Sequence, residues 1–134
     1  MDDLACLVGY RFQSLARRDY DWSIAFDGDA SAVVGCLWRL VESGRIRVTS
    51  DDDGQQFGLS EPVDAAAEVN SRLAGAVVEG VELRQGVLDL VLRFSSGHLL
   101  EIIPTSSGYE AWDVRCGSRQ FIAIGGGELA IIDN

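Results

Sequence analysis

The stretch from residue 87 to 104 constrains the fold of this chain more than any other. Its apolar residues recur at every second position up to Phe94, a Ser-Ser-Gly turn follows, and a second apolar run ends at Pro104. Such alternation buries one face of a β-strand, and Gly97 can take the positive φ at which a hairpin reverses. The pattern predicts a β-hairpin whose buried face carries Leu88, Leu90, Leu92, Phe94, Leu100 and Ile102.

A second hairpin is predicted near the N-terminus. Trp22, Ile24 and Phe26 alternate ahead of Asp27-Gly28, a dipeptide typical of two-residue hairpin turns. The returning stretch 32–41 also fits helical spacing. An internal glycine and a β-branched pair favour a strand there, but the sequence leaves both forms open.

One amphipathic helix is predicted between these hairpins, over residues 61–74. Ser60 is the expected N-cap, Pro62 suits the first turn, and Gly75 suits the end. Apolar side chains recur at three-to-four spacing between these limits, which is the period of a helix with one buried face. The helix divides the chain into two halves that are rich in strand patterns.

The second half of the chain repeats features of the first at offsets of 64 to 68 residues. The matched pairs are Leu7 with Leu73, Gly9 with Gly75, Trp22-Ile24-Phe26 with Leu90-Leu92-Phe94, Val48 with Val114, and Gln56-Phe57 with Gln120-Phe121. The predicted fold class is therefore α+β and mainly antiparallel β-sheet, with two pseudo-repeated β-meanders joined by one α-helix at about 61–74. The 134 residues are expected to form a single domain, with repeat halves at 4–59 and 76–134 around the helical segment 60–75.

The charge balance indicates a basic partner. The chain has 21 acidic and 11 basic residues and a net charge of −10. A surface of this sign repels nucleic acid and anionic lipid, so neither is expected as a partner, and it attracts a basic protein over a long range. Two acidic clusters at predicted turn tips are the expected partner-binding residues: Asp51, Asp52 and Asp53, and Asp27 and Asp29. Solubility alone is the alternative interpretation of the charge.

The cysteine count and the N-terminus bear on the compartment. Cys6, Cys36 and Cys116 are odd in number and widely spaced, which favours reduced core thiols over a disulfide framework. The first residues lack the basic start of a signal peptide, and no apolar run reaches the ~18 residues of a membrane span. A cytoplasmic location is expected.

No catalytic or metal-binding motif is visible in the sequence. The single histidine, His98, follows a predicted turn and is expected at the surface. The acidic stretch 51–54 departs from a calcium-binding EF-hand loop at both ends. The glycines at 125–127 lack the helix and strand that follow in a dinucleotide site, so a wide turn is predicted there. We therefore expect no metal, no cofactor and no enzymatic activity.

The segment that begins at Tyr109 places a carboxylate in an unusual position. If Trp112 and the alternate positions after it point inward, a period of two carries Glu110 to the same face. A buried carboxylate must be paired or hydrogen-bonded, and Arg93 and Arg119 are the candidate partners. Glu110, Trp112 and Tyr109 are therefore predicted to be functional or fold-specifying residues.

The C-terminal half resembles a family of small bacterial proteins of unknown function. The shared features are the hairpin sequence 94–102, the strand Tyr109-Glu110-Ala111-Trp112 and a terminal strand with Gly-Gly-x-Leu-Ala at 126–130. The N-terminal half resembles this family more loosely, through 7–9 and 22–28. The resemblance implies no catalytic residues. In size and acidity, members of this family resemble immunity proteins that neutralise toxins in bacterial competition.

Three functional hypotheses follow. The leading one is an acidic cytoplasmic protein-binding module, most concretely an immunity protein that occludes a basic toxin such as a nuclease. The alternative is a structural protein without catalysis that self-associates through a sheet edge, for example as a homodimer. The third is a small-ligand binder or hydrolase centred on Glu110, with Glu101 and His98.

Overall fold

The computed structural model describes residues 3–133, which form two antiparallel β-sheets and one α-helix. The strands are β1 (Phe12–Arg17), β2 (Trp22–Phe26), β3 (Ala30–Val34), β4 (Leu37–Glu42), β5 (Arg45–Thr49), β6 (Val78–Leu83), β7 (Leu90–Phe94), β8 (Leu99–Ile103), β9 (Trp112–Cys116), β10 (Arg119–Ile124) and β11 (Glu128–Asp133). Helix α1 spans Ala65–Leu73, and short 3-10 helices lie at Asp3–Leu7 and Ser50–Asp52. The predicted α+β class with mainly antiparallel sheet is confirmed. Within residues 3–133, no helix is long and apolar enough to cross a membrane.

The two sheets exchange strands between the halves of the chain. Sheet 1 has the order β1-β2-β3-β9-β10-β11, and sheet 2 has the order β5-β4-β8-β7-β6. Each sheet therefore joins a three-strand meander from one half to strands from the other half. Neither sheet is complete without both halves, so the cores of the two halves cannot form separately.

The strand order maps β1–β5 onto β6–β10 with the sheets exchanged, but the matched residues do not all follow this mapping. Val48 lies in β5 and Val114 lies in β9, which are not equivalent strands. Gln56 lies in a loop, whereas Gln120 lies in β10. The structure does not confirm the pseudo-repeat, which stays a prediction.

Both predicted hairpins are confirmed. In the second, Leu90 pairs with Ile102 across β7 and β8, and Gly97 has a φ of 88° at the turn. In the first, Gly28 has a φ of 69° between β2 and β3. The ambiguous stretch 32–41 lies in β3 and β4, so the strand is the correct form. Tertiary pairing of both strands outweighs the helical spacing.

Helix α1 begins later than predicted. The side chain of Asp64, not Ser60, caps the helix by accepting a hydrogen bond of 3.1 Å from the Ala67 amide. Residues 54–63 instead close a loop on themselves, with the Val63 amide donating to the Gln55 carbonyl at 2.8 Å. The Ser60 prediction is wrong because this loop uses the backbone groups that a longer helix would need.

The helix protects one edge of sheet 1. The Leu15 amide of β1 donates to Oδ1 of Asn70 at 2.7 Å, and Nδ2 of Asn70 donates to the Leu15 carbonyl at 2.9 Å. The side-chain amide thus takes the place of a neighbouring strand. At the start of β1, the Phe12 amide donates to the Ala76 carbonyl at 2.8 Å, which links the two sheets at a corner.

Aromatic pairs join the sheets in the core. Trp22 of sheet 1 meets Trp38 of sheet 2 edge to face, with ring centroids 5.0 Å apart. Phe12 and Phe94 meet in the same way at 6.1 Å. Edge-to-face contacts at these distances match the charge distribution of aromatic rings. The core therefore lies between the sheets, where the alternating residues of both hairpins point.

A disulfide corrects the cysteine prediction. Cys6 in the first 3-10 helix is bonded to Cys116 at the end of β9, with Cα atoms 6.3 Å apart, and Cys36 is free. The prediction of reduced thiols is wrong for two of the three cysteines. The bond joins positions 110 residues apart, so no local spacing of cysteines predicts it. The cytoplasmic location stays a prediction without the support of reduced cysteines.

Candidate partner-binding cleft

Two adjoining cavities open at one end of sheet 1. Their volumes are about 510 and 440 Å³, and both are lined by Tyr20, Asp21 and Gly35. The walls come from the β1–β2 turn, the link between β3 and β4, and the loop before β9. We call this surface the acidic cleft, and its lining includes Asp19, Tyr20, Asp21, Gly35, Asp51, Tyr109 and Glu110.

Two tyrosines stand at the acidic cleft with their rings in solvent. Tyr20 is 96% exposed and Tyr109 is 82% exposed, the highest values among the large hydrophobic side chains of residues 4–133. A tyrosine presents a broad apolar ring and a hydroxyl while losing little conformational freedom when bound. Exposed tyrosines beside a cavity are therefore typical of a surface that binds another molecule.

Three carboxylates of the acidic cleft are unpaired. Within residues 3–133, Asp19, Asp51 and Glu110 take part in no ion pair and no hydrogen bond of their side chains. The positive groups nearby are already paired: Arg18 lies 2.7 Å from Asp21, and Arg17 lies 3.1 Å from Asp53. The unbalanced charge of the cleft is therefore negative.

The position of Glu110 differs from the prediction. Strand β9 begins at Trp112, and Glu110 is exposed ahead of it rather than turned inward. Ala111 is buried directly before the buried Trp112, so the alternation stops at the strand end. Neither predicted partner is used, since the Glu110 side chain makes no ion pair or hydrogen bond within residues 3–133, and Arg119 pairs with Asp133 at 2.7 Å. The inward orientation is wrong because a period of two holds only within the strand.

Trp112 has a structural position. Its side chain is buried, and Nε1 donates a hydrogen bond of 3.0 Å to the carbonyl of Leu88. Leu88 has a φ of 62° and is itself buried, so this bond holds a strained turn against the core. Of the three residues singled out in the sequence, Trp112 specifies the fold, and the other two line the acidic cleft.

The acidic run 51–53 has mixed roles. Asp52 accepts a hydrogen bond of 2.9 Å from the Thr49 amide, which fixes the second 3-10 helix. Asp53 accepts one of 3.0 Å from the Ala65 amide and pairs with Arg17. Two of the three predicted partner-binding residues of this run, Asp52 and Asp53, thus stabilise the fold of the chain. Only Asp51 remains available in the acidic cleft.

Substitution Asp53→Ala should lower the free energy of unfolding by about 1–2 kcal/mol, because it removes the acceptor for a backbone amide at the start of helix α1. The ion pair with Arg17 adds little to this figure, since the Arg17 side chain is about half exposed. Asp51→Ala is the matched control and should change the unfolding energy by less than about 0.5 kcal/mol. Urea unfolding of both variants measures the difference. Equal losses would contradict the structural role of Asp53.

Asp27 and Asp29 lie at the other end of β2. Asp27 accepts a hydrogen bond of 2.7 Å from the Arg11 amide, and Asp29 accepts one of 2.5 Å from the Tyr10 hydroxyl. The bond to Asp29 raises the pKa of Tyr10. Five residues of extended strand separate this turn from the acidic cleft by about 15 Å. The five predicted aspartates therefore do not form one surface, and a binding role for this second pair stays a prediction.

His98 is less accessible than predicted. Its side chain is 12% exposed, with Nε2 2.8 Å from a Glu42 carboxylate oxygen and Nδ1 2.8 Å from the Ser96 hydroxyl. The bond from His98, together with Arg72 at 3.4 Å, lowers the pKa of Glu42. The surface prediction holds only in part, because the ring contacts Glu42 of β4, whose carboxylate also lies near Arg72 of helix α1.

Known proteins offer no guide to this arrangement. Neither protein families, nor characterised proteins, nor solved structures gave a match to this chain. The resemblance to a small bacterial family therefore stays a prediction. The function must be argued from the geometry of the acidic cleft.

The residues of the third hypothesis lie apart. Glu110 lines the acidic cleft, whereas Glu101 pairs with Arg39 in a groove of about 390 Å³ that shares no lining residue with it. His98 contacts Glu42 instead. The structure does not bring the three groups of a hydrolase site together. Within residues 3–133, no three His, Cys, Asp or Glu side chains are grouped to hold a metal ion.

The free cysteine and the glycine run both have structural explanations. Burial raises the pKa of the Cys36 thiol to about 12, so the thiolate that would act as a nucleophile is scarce at neutral pH. The run 125–127 forms the predicted wide turn into β11. A β-carbon at Gly127 would collide with the Gly86 carbonyl, and one at Gly125 would collide with the backbone of Gly108. Close packing of backbones therefore accounts for this run.

Proposed function

We propose that this chain binds a basic protein partner through the acidic cleft. The observation that carries the proposal is the combination of two exposed tyrosines with the unpaired carboxylates of Asp19, Asp51 and Glu110. The tyrosines supply contact area, and the carboxylates supply acceptors for lysine and arginine. Neither group is used by the fold.

Charge acts at two ranges in this proposal. The net charge of −10 attracts a basic protein before contact and raises the association rate. At contact, arginine side chains of the partner can stack on the tyrosine rings and pair with the carboxylates. Arg17 and Arg18 are each paired with an aspartate, so their positive charges are balanced and do not repel a basic partner.

An immunity protein is the most concrete form of the proposal. A nuclease binds phosphates with lysine and arginine, and an acidic surface can occupy the same basic groups. In this form the chain covers the active cleft of a toxin in the cytoplasm and performs no catalysis. Tagged protein recovered from its own host under low-salt and high-salt washes identifies the partner by mass spectrometry. A single basic protein that is lost at high salt supports the proposal.

The triple variant Asp19→Asn, Asp51→Asn, Glu110→Gln should weaken binding of this partner by about tenfold to a hundredfold, since exposed pairs contribute up to about 1 kcal/mol each. It should also flatten the dependence of the association rate on salt. Titration calorimetry and stopped-flow mixing of the purified pair measure both quantities.

The control for this variant makes the same change of charge elsewhere. Glu61, Glu79 and Glu82 are exposed and lie outside the acidic cleft. Their triple substitution by glutamine should leave the affinity within about twofold, because long-range attraction alone affects mainly the encounter rate. If both triple variants lose affinity equally, net charge and not the acidic cleft is responsible.

A further inference from the structure

The four edge strands of the two sheets differ in how they are protected. β1 and β11 are the edges of sheet 1, and β5 and β6 are the edges of sheet 2. An edge strand exposes unpaired backbone amides and carbonyls that can pair with another chain. Proteins prevent this with covering segments, bulges or charged side chains.

Three of these edges carry such protection. β1 is covered by the Asn70 side chain. β6 has a register shift after Val78, and Val78 itself pairs with the backbone of residues 9–10. The pairing of β5 with β4 contains a register shift. β5 also carries Arg47, which pairs with Glu68 of helix α1 at 3.0 Å. Each device blocks or interrupts the free row of backbone groups.

The edge at β11 has no covering segment and no bulge, and its charged residues, Glu128 and Asp133, stand only at its two ends. It pairs with β10 over all six residues without a register shift, and within residues 3–133 no other segment pairs with its outer side. It contains no proline, and its four central residues, 129–132, are uncharged. Ile131 and Ile132 are 39% and 40% exposed, and Ile124 of the adjacent strand is 43% exposed. A regular apolar edge is thus open to pairing.

We propose that β11 pairs with β11 of a second copy of this chain, antiparallel about a two-fold axis. Backbone groups on a strand point outward at every second residue, so an outward residue of one copy must face an outward residue of the other. The residue numbers of facing partners then add to an even number. This rule excludes the register in which Glu128 faces Asp133, which is the arrangement that would oppose like charges.

Two central registers satisfy the rule. In one, Ile131 faces Ile131 of the second copy, and Ala130 faces Ile132 of the second copy. In the other, Ala130 lies on the axis, and Leu129 faces Ile131 of the second copy. Both registers place apolar residues opposite one another at the centre, and neither places Glu128 opposite Asp133. The centre of β11 is therefore complementary to itself, and this favours a second copy over a basic strand from another protein.

The dimer should be weak and should strengthen with salt. Pairing through one six-residue edge buries less than the ~1,200 Å² of stable specific interfaces. Two molecules of net charge −10 repel one another, and salt screens this repulsion. Binding of a basic partner at the acidic cleft has the opposite salt dependence. The two proposals are therefore tested separately.

Sedimentation velocity over a wide concentration range, at low and at high sodium chloride, tests the inference. We expect a monomer–dimer equilibrium that moves toward dimer at high salt. Ile132→Lys should weaken the dimer at least tenfold although it reduces the net negative charge. Ile46→Lys on β5 is the matched control, since Ile46 is 60% exposed on another edge, and it should leave the equilibrium unchanged. Circular dichroism verifies that both variants fold.

Cysteine cross-linking gives the register in a Cys36→Ser background. Either Ile131→Cys or Ala130→Cys should form a disulfide-linked dimer quickly, because the residue on the axis faces its own copy. Ile46→Cys should form one only slowly. A monomer under all conditions, a dimer that weakens with salt, or equal sensitivity to Ile46→Lys and Ile132→Lys would overturn the proposal.

Discussion

Reduction of the Cys6–Cys116 bond is expected to lower the free energy of unfolding by about 4–5 kcal/mol. The bond closes a loop of nearly the whole chain, since its cysteines are separated by 110 residues. Such a long loop restricts the unfolded chain strongly, and its loss releases the corresponding entropy. Urea unfolding with and without reductant measures the change.

A double variant provides the control for this result. Cys6→Ser with Cys116→Ser should unfold at the lower stability and should not respond to reductant. Cys36→Ser should retain the full response, because Cys36 takes no part in the bond. If reductant leaves the wild-type protein unchanged, the two cysteines are not bonded in solution.

Substitution Trp112→Ala should cost about 3–5 kcal/mol of unfolding free energy. Trp112 is 1% exposed and lies in β9 between Val34 of β3 and Ala123 of β10. Its removal leaves a cavity between the sheets and also leaves the Leu88 carbonyl without its donor. A milder variant, Trp112→Phe, keeps most of the apolar contact and should cost about 1–2 kcal/mol for the lost hydrogen bond.

Tyr109→Ala is the matched control for the tryptophan. The residue precedes Trp112 by three positions but is 82% exposed, so the change in unfolding energy should stay within about 0.5 kcal/mol. Thermal or urea unfolding of the three variants measures the contrast. Comparable losses for Tyr109→Ala and Trp112→Ala would contradict the assignment of one side chain to the core and the other to the acidic cleft.

The hairpins could be predicted because their signals are local. Alternating residues from Trp22 to Phe26 and from Leu90 to Phe94 meet turn glycines at 28 and 97, and both strands bury the expected face. The period of two and the positive φ of a turn glycine act within a few residues of chain. Strand pairing then needs no information from distant segments.

Predictions failed where a local pattern was extended beyond its element. Glu110 was expected inward from the period of β9, but the strand begins two residues later. The helix was expected from Ser60, but the loop before it pairs with itself up to Val63. The ends of elements depend on which backbone groups find partners elsewhere, and such partners are not visible in the local pattern.

The candidate site was predicted only in part. Tyr109, Glu110 and Asp51 were singled out from the sequence and meet in the acidic cleft, but Tyr20 and Asp19 were missed. These two residues lie in a polar turn directly before the alternating residues of β2. A tyrosine in such a turn could have indicated a binding surface. Asp52 and Asp53 were expected in the site and instead hold the fold.

The sequence by itself determined the two hairpins with their turns, the class of the fold and the sign of its net charge. These properties depend on neighbouring residues or on composition alone. The tertiary structure decided which strands share a sheet, which cysteines are bonded, which carboxylates remain unpaired and which sheet edge stays open. Those outcomes depend on distances between segments far apart in the chain, which are set only when the two halves exchange strands and pack.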